Sequence, residues 1–259
     1  MECTTVSLQI PAAPGSGAPE ITVLKLRGPS PVNARRAAND LAREMLARLG
    51  RREPGPKAGD GLRPEARVRV QLDFERLLNF SYELDADVVL GLADLNVAVD
   101  FTHREFGRPS PMSRLGDGPS RDEGCTAAFR LSGEELRPDS VTQVLGIDPS
   151  MTAYVGERTA PRSTRRHSKS SWILDGTTPP SSDTGAPVAE LLERLPTTSE
   201  AWSALSREHR MHVLLNFQVY QMTGYFDLAA STVRRVADAA CGLDFSFHDW
   251  GPAGADCLR

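Results

Sequence analysis

Two stretches of this chain, 144 residues apart, carry one pattern. Leu84 to Phe101 (LDADVVLGLADLNVAVDF) lies over Leu228 to Phe245 (LAASTVRRVADAACGLDF) without a gap. Seven of the eighteen aligned positions are identical: Leu84/Leu228, Ala86/Ala230, Val89/Val233, Ala93/Ala237, Asp94/Asp238, Asp100/Asp244 and Phe101/Phe245. Average residue usage would give roughly one or two identities at a fixed offset. Upstream, Val68, Val70, Leu72 and Phe74 alternate with polar residues as Val213, Leu215, Phe217 and Val219 do, one residue out of the main register. A single extra residue in the turn near Gly224 accounts for that slip. Such a chain reads as a duplicated fold, and its 259 residues suffice for two domains of ordinary size.

The expected division is a degenerate first repeat over 1–106, a linker over 107–124, a second repeat over 125–251 and a tail over 252–259. The linker, GRPSPMSRLGDGPSRDEG, and a similar stretch from Arg51 to Pro64 are rich in Pro, Gly and Arg and can bury little apolar surface.

In the first unit, Val6 to Ile10, Ile21 to Leu26 and Val68 to Phe74 alternate as half-buried strands do. Ser30-Pro31 opens a helix carrying Ala34, Leu41, Met45 and Leu49, and Gly50 ends it. Asp87 caps a short helix before a strand through Val97, Val99 and Phe101. Ser231 holds the equivalent capping place in the second unit, ahead of a strand through Leu243, Phe245 and Phe247. Ala127 to Leu131, Val213 to Val219, Tyr154-Val155 and Ser171 to Leu174 read as further strands. Pro138 to Leu145 (closed by Gly146), Val188 to Leu195 and Glu200 to Arg207 read as helices. The predicted class is α+β: two tandem sandwich units, mostly antiparallel sheets with helices on one face.

A net charge of −4 argues against bulk capture of nucleic acid or anionic membrane. The opening Met1-Glu2-Cys3-Thr4-Thr5 has neither a basic region nor an apolar run, so no signal peptide is expected, and no apolar stretch approaches the ~20 residues that span a bilayer. Cys3, Cys125, Cys241 and Cys257 lie far apart with no C-x-x-C pair, which points to a reduced, cytoplasmic protein without a zinc ribbon. HExxH, Walker and G-x-S-x-G patterns are absent, and no cofactor or metal is expected.

Several segments of the second unit carry a resemblance. They are AAFRL (Ala127 to Leu131), DSVTQVLGIDPS (Asp139 to Ser150), VGE (Val155 to Glu157), SSWIL (ending at Leu174) and LDFSFHDW (Leu243 to Trp250). With these, residues from about 127 to 250 resemble the bacterial domain of unknown function 4279 family. The first unit has no counterpart of the LGIDP and VGE segments and reads as an eroded copy. The resemblance implies an α+β fold and no established chemistry. It also implies, by association alone, an immunity-type recognition protein.

Among candidate site residues, Arg158, Arg162, Arg165, Arg166 and Lys169 form a basic loop with His167. Such a loop can grip phosphates or an acidic protein surface, or simply be a solvated hairpin tip. Trp172 could stack a base, although its apolar strand points to the core. Glu157, after Gly156, could pair with a neighbouring arginine. The two closing strands end in polar clusters: His103 with Glu105, and His248 with Asp249. Neighbours on a strand point to opposite faces, which disfavours a general-base pair there. Cys241 has the surroundings of an inert core thiol. The function expected is non-catalytic recognition of a protein partner, such as a toxin, by an immunity-type or adaptor protein. The alternatives are an enzyme or small-molecule-binding protein of specialised metabolism, and phosphate or RNA binding through the basic loop.

Overall fold

The computed structural model describes residues 3–10, 20–27, 66–74, 80–94, 96–105, 124–161, 163–219 and 223–249, together with helical residues 39, 40, 42–44, 46 and 47. The first half contains β1 (Cys3–Ile10), β2 (Glu20–Arg27), β3 (Ala66–Phe74), β4 (Phe80–Leu84), α1 (Ala86–Asp94) and β5 (Val97–Glu105). The second half begins with β6 (Gly124–Gly133), α2 (Pro138–Leu145), β7 (Met151–Ala153) and β8 (Ser170–Asp175). It continues through α3 (Gly185–Arg194), α4 (Glu200–Glu208), β9 (Arg210–Val219), β10 (Thr223–Leu228), α5 (Ala230–Asp238) and β11 (Gly242–Asp249).

The strands form a five-stranded sheet, β10-β5-β3-β1-β2, and a six-stranded sheet, β4-β11-β9-β6-β8-β7. Among the described strands, only β3 with β5 and β9 with β11 run parallel. The class is therefore α+β, as the alternating and helical runs predict.

Neither sheet is made by one half alone. β4 of the first half closes the second half's sheet against β11, and β10 of the second half closes the first half's sheet against β5. Both pairings keep one register. Leu84 faces Leu243, and the positions offset from these by 144 residues also pair, Leu228 with Val99 (84 + 144 = 228; 243 − 144 = 99). The parallel pairs agree as well: Val68 faces Val99 and Val213 faces Leu243, an offset of 145 on the first strand (213 − 68 = 145). The one-residue slip thus lies in the turn before β4 and β10. The extra residue lies in the first half and not near Gly224 as expected, since 74 to 80 spans six steps and 219 to 224 spans five.

The helix ends match in the same way. Val88 and Val89 N–H donate to Asp85 O, and Thr232 and Val233 N–H donate to Ala229 O. After each helix a residue adopts positive φ, Asn96 at 53° and Ala240 at 55°. Asparagine tolerates this left-handed region, whereas for alanine it costs about 1 kcal/mol or more. Both helix starts differ from expectation: Asp85 and Ala229 occupy the capping places, while Asp87 and Ser231 lie two residues further on, within the first turn. The short strand is Met151–Ala153 rather than Tyr154-Val155. β4 and β10 have no counterpart among the expected strands.

α1 packs on α5, and one continuous core runs from Leu84, Val88 and Val99 through Val233, Phe245 and Leu215 to Phe129. At its far side Phe129 meets Trp172 edge-on, with ring centroids 6.1 Å apart and planes at 68°, and Trp202 at 5.0 Å. Both indoles are satisfied: Trp172 Nε1 donates to Thr142 Oγ1 at 3.0 Å and Trp202 Nε1 to Ala239 O at 2.9 Å. The LGIDPS segment is the exit from α2. Gly146 takes φ 66° as the left-handed helix end, and its N–H closes on Thr142 O. No helix of the described residues is long and apolar enough to cross a membrane. The linker at 107–123 and the tail at 252–259 lie outside the described residues, as does most of the helix expected from Ser30 to Gly50.

Candidate functional site

Strand alternation sorts the second half's sheet into two faces. Leu84, Phe245, Leu215 and Phe129 line the face under the helices, so the positions between them face the other way. Those positions form a charged row across four strands: Glu83 on β4, Asp244 on β11, His212 on β9 and Arg130 on β6. The registers place Glu83 opposite Asp244 and Arg130 opposite His212. His212 and Asp244 are only 3% and 5% exposed, burial deep enough that their polar groups require partners. Arg130 Nη2 donates to Asp244 Oδ2 at 2.9 Å.

His212 reaches across β11 to β4. Its Nε2 stands 2.8 Å from Glu83 Oε1, but the N–H does not point along that line, so the contact is electrostatic rather than a directed hydrogen bond. Gly242 makes this reach possible. A Cβ there would stand 2.6 Å from the Leu84 carbonyl oxygen and 2.6 and 2.7 Å from atoms of the His212 ring. Gly242→Ala is accordingly expected to cost roughly 1–3 kcal/mol in chemical denaturation. An alanine variant as stable as the parent would show that the imidazole does not lie over this strand. The His212 imidazole, opposed by burial and helped by Arg130 and Arg210, holds the Glu83 carboxyl down at about 2.

The free edge of β4 is covered by side chains. Asn39, 6% exposed, donates to Glu83 O and accepts from Asp85 N–H, both at 2.9 Å, imitating a neighbouring strand. Arg43 forks onto Asp85 at 2.6 Å and Asp87 at 2.8 Å, and it pulls the Asp87 carboxyl below its ordinary range.

A second polar region is the hairpin after β7. Gly156 N–H donates to His167 O, His167 N–H to Glu157 O and Thr159 N–H to Arg165 O, so the loop is tied by its own backbone. Gly156 takes φ 85°, which its lack of a side chain permits. Arg158, Arg165, Arg166 and Lys169 are exposed, and among the described residues none of them is in a salt bridge. Arg166 Nη1 donates to Gly156 O. Glu157 pairs with no arginine among the described contacts; its Oε2 accepts from Tyr154 N–H at 3.0 Å, which shapes the turn. Arg162 lies outside the described residues.

Beside the hairpin, a cleft of about 760 Å³ is lined by Lys169, Arg137, His209 and Arg210, by Glu134, Glu135 and Glu208, and by Val141, Val144 and Leu205. A smaller one of about 380 Å³ lies between the starts of α3 and α5.

Trp172 is not a surface platform: it is 0% exposed and no base can reach it. Cys241 is equally buried, and burial pushes its thiol above the ordinary range. His103, Glu105, His248 and Asp249 stand at the ends of β5 and β11, where His103 faces Gly224 and His248 and Asp249 face Gln218 and Val219. Their side chains lie outside the described set. Glu83, Asp85, His212, Arg130 and Asp244 have no local sequence signature. The clue was a histidine at one of the polar alternate positions of β9, opposite the glycine that begins β11.

No curated protein and no solved structure matches this chain significantly. A family model does match in the second half: residues 123–250, from just before β6 to just past β11, are similar to the family described as Domain of unknown function (DUF4279).

Proposed function

We propose that the chain is a non-catalytic recognition protein of immunity or adaptor type, and that it binds an acidic face of a protein partner through the basic hairpin and the adjoining cleft. The observation that carries this reading is a hairpin held in shape by its own backbone while Arg158, Arg165, Arg166 and Lys169 project without salt bridges among the described residues. Around it, Val144, Met151 and Val155 are 53%, 57% and 52% exposed, apolar area of the kind found at the centre of protein interfaces. A protein suits this surface better than a nucleic acid. The chain is net acidic, and the one tryptophan near the loop is in the core, which removes the stacking platform that single strands need.

Replacing Arg158, Arg165 and Arg166 together by Ser should leave the melting temperature within about 2 °C, because exposed charges contribute within roughly 0.5 kcal/mol. In pull-downs from the source cells, the parent should retain a partner that the triple variant loses and that 0.5 M salt releases, since exposed charges are screened over about a Debye length. A partner retained equally by both proteins and insensitive to salt overturns the reading.

The cleft favours one second reading. Its volume suits a small molecule, although charged groups outnumber apolar ones in its lining, unlike most small-ligand pockets. We also infer that the two halves descend from one duplicated unit that exchanged β4 and β10. The matching registers, helix starts and positive-φ turns support this history, as do the helical residues between 39 and 47, which stand between β2 and β3 as α3 and α4 stand between β8 and β9; among the described residues of the first half, α2 and β7 have no counterpart.

A further inference from the structure

We propose that Glu83, Asp85 and His212 form a binding site for a divalent transition-metal ion of the Zn²⁺ class. One ligand atom from each residue lies within 4.8 Å of the others. Metal–ligand bonds of about 2.0–2.2 Å set such atoms roughly 3–4 Å apart, so small side-chain rotations close the set. An independent observation points to a missing ligand. The His212 side chain is 4% exposed, and neither ring nitrogen has a directed hydrogen-bond partner among the described residues. Buried polar groups are almost always satisfied, and a bound ion or water commonly accounts for an apparent exception.

The donor set selects the ion. An imidazole with carboxylates suits Zn²⁺, Co²⁺ or Ni²⁺, whereas Mg²⁺ and Ca²⁺ prefer oxygen throughout. Both carboxylates keep an oxygen for the ion. Arg43 holds Asp85 by Oδ2, leaving Oδ1, while Arg210 approaches Glu83 only to 3.6 Å and, 62% exposed, can swing into water. Three protein ligands leave a coordination position for water. Glu83 and Asp85 come with the exchanged strand β4 and His212 from the sheet that receives it, so the ion fastens one half of the chain to the other.

The test uses the full-length chain stripped of metal by chelator and titrated calorimetrically with ZnCl₂, with MgCl₂ in parallel. Expected results are uptake of Zn²⁺ but not Mg²⁺, a higher melting temperature with Zn²⁺, and visible absorption bands on loading with Co²⁺. Glu83→Gln and Asp85→Asn should each weaken Zn²⁺ binding at least tenfold, since changes merely behind metal ligands cost about 10–100-fold. If Glu83→Gln does not fold, Asp85→Asn, whose side chain is 31% exposed, decides alone. Absence of Zn²⁺ uptake by the parent, or uptake that Asp85→Asn leaves unchanged, overturns the assignment.

Discussion

Trp172→Ala is expected to lower the free energy of unfolding by about 3–5 kcal/mol, the range for removing a buried aromatic side chain. The indole is 0% exposed, meets Phe129 edge-on and closes its one donor on Thr142. Truncation therefore removes packing, opens a cavity against Phe129 and leaves the Thr142 hydroxyl without its partner. Leu131, opposite Trp172 on β6, is also fully buried, so the hole cannot fill from the surface. Urea denaturation measures the loss, with Arg166→Ala as an exposed control expected within roughly 0.5 kcal/mol. An unchanged midpoint for Trp172→Ala would place the ring at the surface and restore it as a candidate binding residue.

The sequence was most legible where one element's chemistry is local. Val68 to Phe74 and Val213 to Val219 announce themselves by strict alternation of apolar and polar residues, and both are strands. α2 is bounded by Pro138 and Gly146, residues that favour a helix start and a left-handed exit, and it occupies that span. What could not be read is the exchange. Phe80 to Leu84 is five residues long, and its partner strand begins at Gly242, so nothing local says which sheet it joins. The charged row shares that fate. Glu83 and His212 are 129 residues apart (212 − 83 = 129) and meet only because β4 crosses to the other half. The basic loop was visible as composition, but that Glu157 serves the turn rather than an arginine depends on a backbone N–H that composition does not show.

Phe245→Ala should cost a similar ~3–5 kcal/mol, and where the structure loosens is as informative as how much. Phe245 is 0% exposed at the centre of β11, opposite Tyr82 of β4 on one side and Leu215 of β9 on the other. Its ring stacks on Phe217, with centroids 6.4 Å apart and planes at 12°. Removing it empties the space beneath the strand that receives β4, while β1 and β2 lie in the other sheet. Local opening follows packing, so native-state hydrogen exchange should show the largest loss of protection at the amides of β4, β9 and β11 together. The amides of β1 and β2 should lose only what the fall in global stability imposes. The coupling of β4 to β11 is the decisive part, because the two strands belong to opposite halves of the chain. If β4 instead keeps its protection, or loses it in step with β3 and β5, then β4 is held by its own half and the exchange of strands is wrong.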